Sequence, residues 1–318
     1  MRIVSLLPAA TEIVAALGLA ESLVGVSHEC NYPPEVNRKP RVTRCEIYGK
    51  GLGSAAVDSW VNETLASKKA LYTIDEPLLS RLRPDVIVTQ QLCDVCAIDY
   101  ASVVTIASSL PRKPQIVNLS PAALADIFDD IRRVAAALQV SPGGEALVAS
   151  LVERLDAVKS RVSQASSRPR CVHMEWIDPP FCAGHWNPEL VEIAGGVDPV
   201  GRKGAPSVQV AWERIVEAQP EILLLACCGY EVERTLADVR ILQNYPLWDS
   251  LPAVRNDRVY AVNGSAYFSR PGPRVISSLE ILAQIIHPEL FPTRFPRGEV
   301  AKVKAREQTF PEGEVLPG

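Results

Sequence analysis

Short apolar runs recur along this chain, each bounded by turn residues and each followed by helical periodicity, and that alternation constrains the fold more than any other feature. Residues 3–6, 23–27, 86–89 and 116–119 read as strands of this kind. Repeated strand–helix units imply an α/β class with a mostly parallel sheet. Asp75-Glu76-Pro77 has the form of an N-cap followed by a proline in the first helical turn. The helix it opens should stop before Pro84, ahead of the strand that starts at Val86.

The rhythm breaks once. Ser120-Pro121 opens a helix with Leu124, Ile127, Phe128, Ile131, Val134 and Leu138 at helical spacing. Ser141-Pro142 opens another, carrying Leu147, Val148, Leu151, Leu155, Val158 and Val162. Two helices in succession read as a spine between two units. Alternation then resumes with a strand at 171–176, a helix from Asn187-Pro188 to Gly195-Gly196, strands at 222–226 and 259–262, and a last helix at 275–286. A chain of 318 residues suffices for two cores. The expected organisation is an N-terminal α/β lobe over 1–120, connecting helices over 121–167, a C-terminal α/β lobe over 168–290 and a tail over 291–318. Proline and charge from Pro288 onward predict loose packing of that tail.

A short internal repeat supports two related lobes. Leu82-Arg83-Pro84-Asp85-Val86-Ile87-Val88 leads toward Cys93, and Ala218-Gln219-Pro220-Glu221-Ile222-Leu223-Leu224 leads toward Cys227-Cys228. Ligands of parallel α/β sheets bind outside the carboxyl ends of the strands, so both cysteine-bearing loops are expected at one cleft. The residues that follow strands are His28-Glu29-Cys30 and Gln90-Gln91 with Cys93 and Cys96 in the first lobe. In the second lobe they are Glu175-Trp176, His185-Trp186, Cys228, Tyr230 and Tyr267-Phe268. Cys93 and Cys96 are spaced to chelate one ion, and Cys30 and Cys228 are candidates to complete a zinc or iron–sulfur site. The competing reading packs these thiols as small apolar side chains. Trp176, Trp186, Tyr230, Tyr267 and Phe268 suit the walls of a planar ligand, or ordinary packing at lobe edges. Gly49-Lys50-Gly51-Leu52-Gly53 reads as a flexible connection, and Asp129-Asp130 as a solvated helix face.

A net charge of −4 gives no footprint for nucleic acid. No apolar run approaches the roughly 20 residues of a membrane span. Pro8 and Glu12 interrupt the stretch that an export signal would need, and Met1 reads as the start. A cytoplasmic protein with mostly reduced thiols is therefore expected. Walker A, G-x-S-x-G and H-E-x-x-H motifs are absent. No complete set of acid, base and nucleophile assembles, so binding is expected over catalysis. Glu29, Glu175, His28 and His185 are the only obvious proton-transfer candidates.

Several blocks, in order, resemble the cobalamin- and siderophore-binding proteins of ABC importers. They are the opening Arg2-Ile3-Val4-Ser5-Leu6-Leu7-Pro8-Ala9-Ala10-Thr11-Glu12, then Tyr32-Pro33-Pro34, residues 82–88, Pro179-Pro180-Phe181, Ala194-Gly195-Gly196 and Pro273-Arg274. The resemblance implies two Rossmann-like lobes joined by a rigid helix, with a ligand held between them. It implies a corrinoid (cobalamin-like) or other metal-chelate ligand. For such a ligand His28 and His185, on loops the exported cobalamin binders do not generally carry, are candidates to coordinate the metal axially in place of a water. The glutamates with which exported members dock onto an ABC permease have no clear match here. The alternative is a metal or iron–sulfur protein that reuses the same cleft, and a third reading is a true importer component.

Overall fold

Strand Ile3–Ser5 is buried along its whole length because it lies between two parallel neighbours, Leu23–Val26 and Val86–Gln90. Gln115–Leu119 pairs with Val86–Gln90 on the far side, which completes a four-stranded parallel sheet. Central strands of this kind are covered on both faces, so they read as unbroken apolar runs. The computed structural model describes residues 1–91, 98–292 and 295–304.

The second lobe places Cys171–Trp176, Ile222–Leu225 and Val259–Val262 side by side in parallel. Short antiparallel strands complete this six-stranded sheet, Phe181–Cys182 and Val208–Gln209 at one edge and Val300–Lys302 at the other. The last of these corrects the expectation of a loose tail for its first part, while residues 305–318 lie outside the described residues. Phe291 and Val303 are buried, and residues 300–302 cover the free edge of Val259–Val262.

The sequence repeat is a repeated brace. Arg2 donates its backbone N–H to Asp85 Oδ2 (2.8 Å) and its Nε–H to the Leu82 carbonyl (2.7 Å). Arg170 donates its backbone N–H to Glu221 Oε2 (3.0 Å) and its Nε–H to the Gln219 carbonyl (2.9 Å). Each preceding helix ends on a residue of positive φ directly before the proline, Arg83 at 45° and Gln219 at 47°. Such a conformation is uncommon for a side chain other than glycine and is disfavoured before proline. The acid after the proline recurs because it receives the arginine N–H that fixes the turn.

The spine consists of Leu124–Ala137 and the 22-residue helix Ser141–Val162, about 33 Å long. The predicted stripes are the buried ones: Leu124, Ile127, Phe128, Ile131 and Val134 on the first, and Val148, Leu151, Leu155 and Val158 on the second. Gly144 lets the two cross closely, since a Cβ there would lie 2.5 Å from that of Ala135. Arg154 pairs through two nitrogens with Glu280 (3.0 and 2.7 Å), tying the spine to the last helix, Val275–Ile286. One connected core runs through Ile3, Leu119, Ile131, Leu151, Leu190, Leu224 and Ile286, so it is shared by both lobes and the spine.

Two local expectations are corrected, and one stretch left unassigned gains its elements. Asp130 is buried, not solvated; it accepts from Arg133, and burial pushes its carboxyl up to about 6. The first spine helix starts at Leu124, where Asp126 accepts from the backbone N–H groups of Ala122 and Ala123 (2.9 Å each). Residues between Cys30 and Asp75, to which sequence reasoning assigns no strand or helix, form the antiparallel pair Thr43–Cys45 with Tyr72–Ile74 and the helix Ser54–Ala66. Among the described residues no helix is long and apolar enough to cross a membrane.

Candidate ligand-binding site

The carboxyl ends of the strands in the two lobes are joined by two polar bridges. In the first, Glu12 of helix Pro8–Ala16 meets the loop that follows strand Val259–Val262. Arg274 binds Glu12 through Nε (2.9 Å) and Nη2 (2.7 Å), and Arg270 Nη1 lies 3.0 Å from the same carboxylate. Arg270 also donates to Asn31 Oδ1 (2.8 Å) and to the Glu29 carbonyl (3.3 Å). The Arg274 guanidinium rests 4.1 Å above the Tyr32 ring. Glu12 is 3% exposed and Arg270 5%, so this is a desolvated charge cluster.

In the second bridge, the Leu52 carbonyl accepts from Arg234 Nη2 (2.6 Å) and the Tyr230 hydroxyl (3.4 Å). The backbone N–H of Ser54 donates to Asp238 Oδ2 (2.8 Å), so the second lobe supplies the acceptor at the amino end of Ser54–Ala66. The glycine-rich stretch expected to be a flexible connection is therefore anchored across the lobes. Gly51, at φ 65°, lets the chain turn there.

On the first-lobe wall, His28 packs edge-on to Tyr48 (4.9 Å) and beside Tyr72 (5.6 Å), with Nδ1 2.7 Å from the Thr43 hydroxyl. Burial and the nearby Arg41 cation lower its pKa to about 4. Its Nε2 is buried and has no partner among the described residues. Burial raises the Glu29 carboxyl, with Arg270 opposing. Gln90 is buried and Gln91 exposed, with Gln91 Oε1 accepting from Asn118 Nδ2 at 3.4 Å.

On the second-lobe wall, the half-buried Trp176 meets the buried Tyr230 edge-on at 4.9 Å, and Arg234 covers the Tyr230 ring at 3.6 Å. Glu175 accepts from Asn187 Nδ2 (2.7 Å) and from the Ser207 hydroxyl, and burial raises its pKa. His185 is half-buried beside Trp186 (5.8 Å), and burial lowers its pKa.

Other candidates lie elsewhere. Phe268 is 1% exposed and packs against His173 at 5.0 Å, which places it in the core rather than on a ligand wall. Trp186 is likewise buried and backs His185, while Tyr267 lies in the first bridge, 5.6 Å from the Arg274 guanidinium. Cys30 is buried, with its sulfur 3.0 Å from the Thr11 hydroxyl and 3.2 Å from that of Ser27, and burial raises its pKa. Cys228, by contrast, is exposed. Among the described residues no three His, Cys, Asp or Glu side chains are grouped to hold a metal, and Cys93 and Cys96 lie outside those residues. Sequence reasoning missed Tyr48, Tyr72, Asn187, Ser207 and Arg234. Tyr48, Tyr72 and Ser207 lie on short or aperiodic segments, where spacing carries little signal, whereas Arg234 lies on helix Val232–Gln243 and Asn187 heads helix Asn187–Ile193.

His173 offers a test of these environments. It is fully buried, both ring nitrogens lack partners among the described residues, and burial lowers its pKa to about 3. The unfolded chain takes up this proton below about 6.5, whereas the folded chain resists it. The stability it contributes is full above that pH and is lost as pH falls toward the folded value. Raised carboxyls such as Asp198, at about 6, act with the opposite sign, so a difference curve is the informative readout. Relative to the native chain, His173→Leu should gain unfolding free energy as pH falls from 6.5 to 4. A difference that stays constant would contradict the assignment.

Two α/β lobes meeting at the carboxyl ends of their strands define a solute-binding architecture. A family model described as periplasmic binding protein matches residues 3–266, and the chain belongs to that family. It is 24% identical over 290 residues to a vitamin B12-binding protein of Vibrio cholerae serotype O1, covering 88% of this chain and 86% of the relative. It is 24% identical over 297 residues to YvrC of Bacillus subtilis, described as an uncharacterized ABC transporter substrate-binding lipoprotein, covering 91% and 81%. A solved periplasmic heme-binding protein from Pseudomonas aeruginosa superposes with a TM-score of 0.72 at 16% identity, over 96% of this chain and 98% of that one. A ligand-binding role follows from the family. The cytoplasmic expectation is overturned, because these proteins are periplasmic or lipoprotein substrate-binding proteins. The interrupted apolar stretch at Pro8 and Glu12 forms helix Pro8–Ala16 of the first lobe.

Proposed function

We propose that this protein binds a corrinoid in the gap between its lobes and serves as the substrate-binding component of an ABC importer. The observation that carries the reading is the partly open indole of Trp176, propped edge-on by Tyr230 at the carboxyl end of a central strand. A rigid ring in that position suits the apolar face of a large planar macrocycle. The descriptions of the relatives support the ligand class, which covers vitamin B12 in one and heme in another.

The arginines favour the corrinoid. Arg270, Arg274 and Arg234 are committed to protein acceptors. A macrocycle edged with neutral carboxamides needs no cation from them, whereas one edged with carboxylates would call for such a partner. Calorimetry with cyanocobalamin and with hemin tests the reading. Cyanocobalamin is expected to bind in the micromolar range or tighter and hemin at least tenfold more weakly. No cobalamin binding at high micromolar concentration would remove the proposal. Trp176→Ala is expected to weaken cobalamin binding by about 2 kcal/mol, the scale of a central aromatic contact, as read from the same titration.

A further inference from the structure

We propose that His185 ligates the cobalt of the bound corrinoid through an imidazole nitrogen, an inference that rests on the corrinoid reading above. The backbone supplies the first observation. His185 sits at φ 51°, in the left-handed region that L side chains rarely adopt. No side-chain hydrogen bond of its own compensates among the described residues. The conformation is imposed by pairing on both sides: the His185 N–H donates to the Ala205 carbonyl (2.7 Å), and the Gly204 N–H donates to the His185 carbonyl (2.9 Å). Non-glycine residues held in sparse backbone regions by their surroundings cluster at functional sites.

The second observation is anchoring. Glu175, at the end of strand Cys171–Trp176, receives Asn187 Nδ2 (2.7 Å) and the Gly184 N–H, so it holds the turn that carries His185 from both sides. Gly184 is so closely packed that a Cβ there would lie 2.3 Å from the Ser207 nitrogen. The turn is therefore closely packed, and the backbone that carries the imidazole is tied to Glu175 at the carboxyl end of its strand.

Comparison with the other histidines supplies the third. The chain has four. His173 is fully buried; His287 is 2% exposed, with Nδ1 3.1 Å from Glu289 and Nε2 3.3 Å from the Gly195 carbonyl; His28 encloses its Nε2 and turns Nδ1 to Thr43. His185 alone keeps a partly open ring whose nitrogens have no hydrogen bond among the described residues. Burial also favours its neutral form, which is the ligating one. Ligation needs no electron transfer: the bond from cobalt(III) to its water breaks, a cobalt–nitrogen bond forms, and water leaves.

The full chain titrated with aquacobalamin and, in parallel, cyanocobalamin tests this by visible absorption and calorimetry. The expected result is binding of both, with the aquacobalamin spectrum moving to that of an imidazole complex and the cyanocobalamin spectrum unmoved. His185→Asn should bind aquacobalamin at least tenfold more weakly, without the spectral change. Because asparagine tolerates the left-handed region, that variant should unfold at the native temperature or above it. Binding of aquacobalamin without the spectral change overturns the inference alone, as does a change that persists in His185→Asn. Failure of both cobalamins to bind overturns the corrinoid reading and this inference with it.

Discussion

Glu12→Ala should lower the unfolding free energy by about 3–5 kcal/mol, a large share of the total for a chain of this kind. The size comes from what remains behind. Arg270 would keep Asn31 and backbone or hydroxyl partners but lose the charge that balances it, inside a site where it is only 5% exposed. Arg274 would lose both nitrogens' partner at once. The loss measures an uncompensated buried cation, not the net worth of the bridge, which the cost of desolvating three charged groups reduces. Glu12→Gln keeps an acceptor oxygen and should lose less. Salt should change the effect little, because a buried pair is weakly screened. Urea denaturation of the three proteins is the measurement. A loss below about 1 kcal/mol for Glu12→Ala would mean that water reaches the cluster, as it does an exposed pair.

Phe268→Ala should cost about 3–5 kcal/mol by the same measurement, the usual price of deleting a buried phenylalanine. Its ring fills space against His173, and its carbonyl accepts from Asn187 (3.3 Å), the residue that also holds Glu175. A cavity there lies beneath the cleft rather than in it. Ligand affinity, measured where the variant is still folded, should change less than for Trp176→Ala. The reverse ranking, with Phe268 dominant for binding and neutral for stability, would return this ring to the ligand wall.

The contrast between these two aromatics explains how much the sequence could say. Strand and spine positions were legible because burial imposes a period: Cys171–Trp176, Val259–Val262 and Val275–Ile286 fall at the expected residues. The Arg83 and Gln219 turns were legible as a repeat because the same brace demands the same proline and acid. Cleft membership was only partly legible. Position after a strand brings a residue to the carboxyl end of the sheet, but whether its side chain stays partly open, as with Trp176, or folds back into the core, as with Phe268 and Cys30, depends on loop geometry that has no period. Residue type alone points Cys30 to metal chemistry, and it could not reveal the hydroxyls of Thr11 and Ser27 that lie 3.0 and 3.2 Å from its sulfur. Residues 30–75 were illegible for a related reason. Their short strands pair only with each other, and their helix is held at its amino end by Asp238 of the other lobe.

The core that continues from Ile3 through the spine to Ile286 leaves no seam along which the molecule can open. Separately folded halves would swing on a linker, and relative motion is the default where the shared interface is small and polar. Here a wide swing would strip leucine and isoleucine side chains from their neighbours on both sides of the spine. Any opening that keeps this core intact is confined to the rim, among loops and rotamers away from the spine.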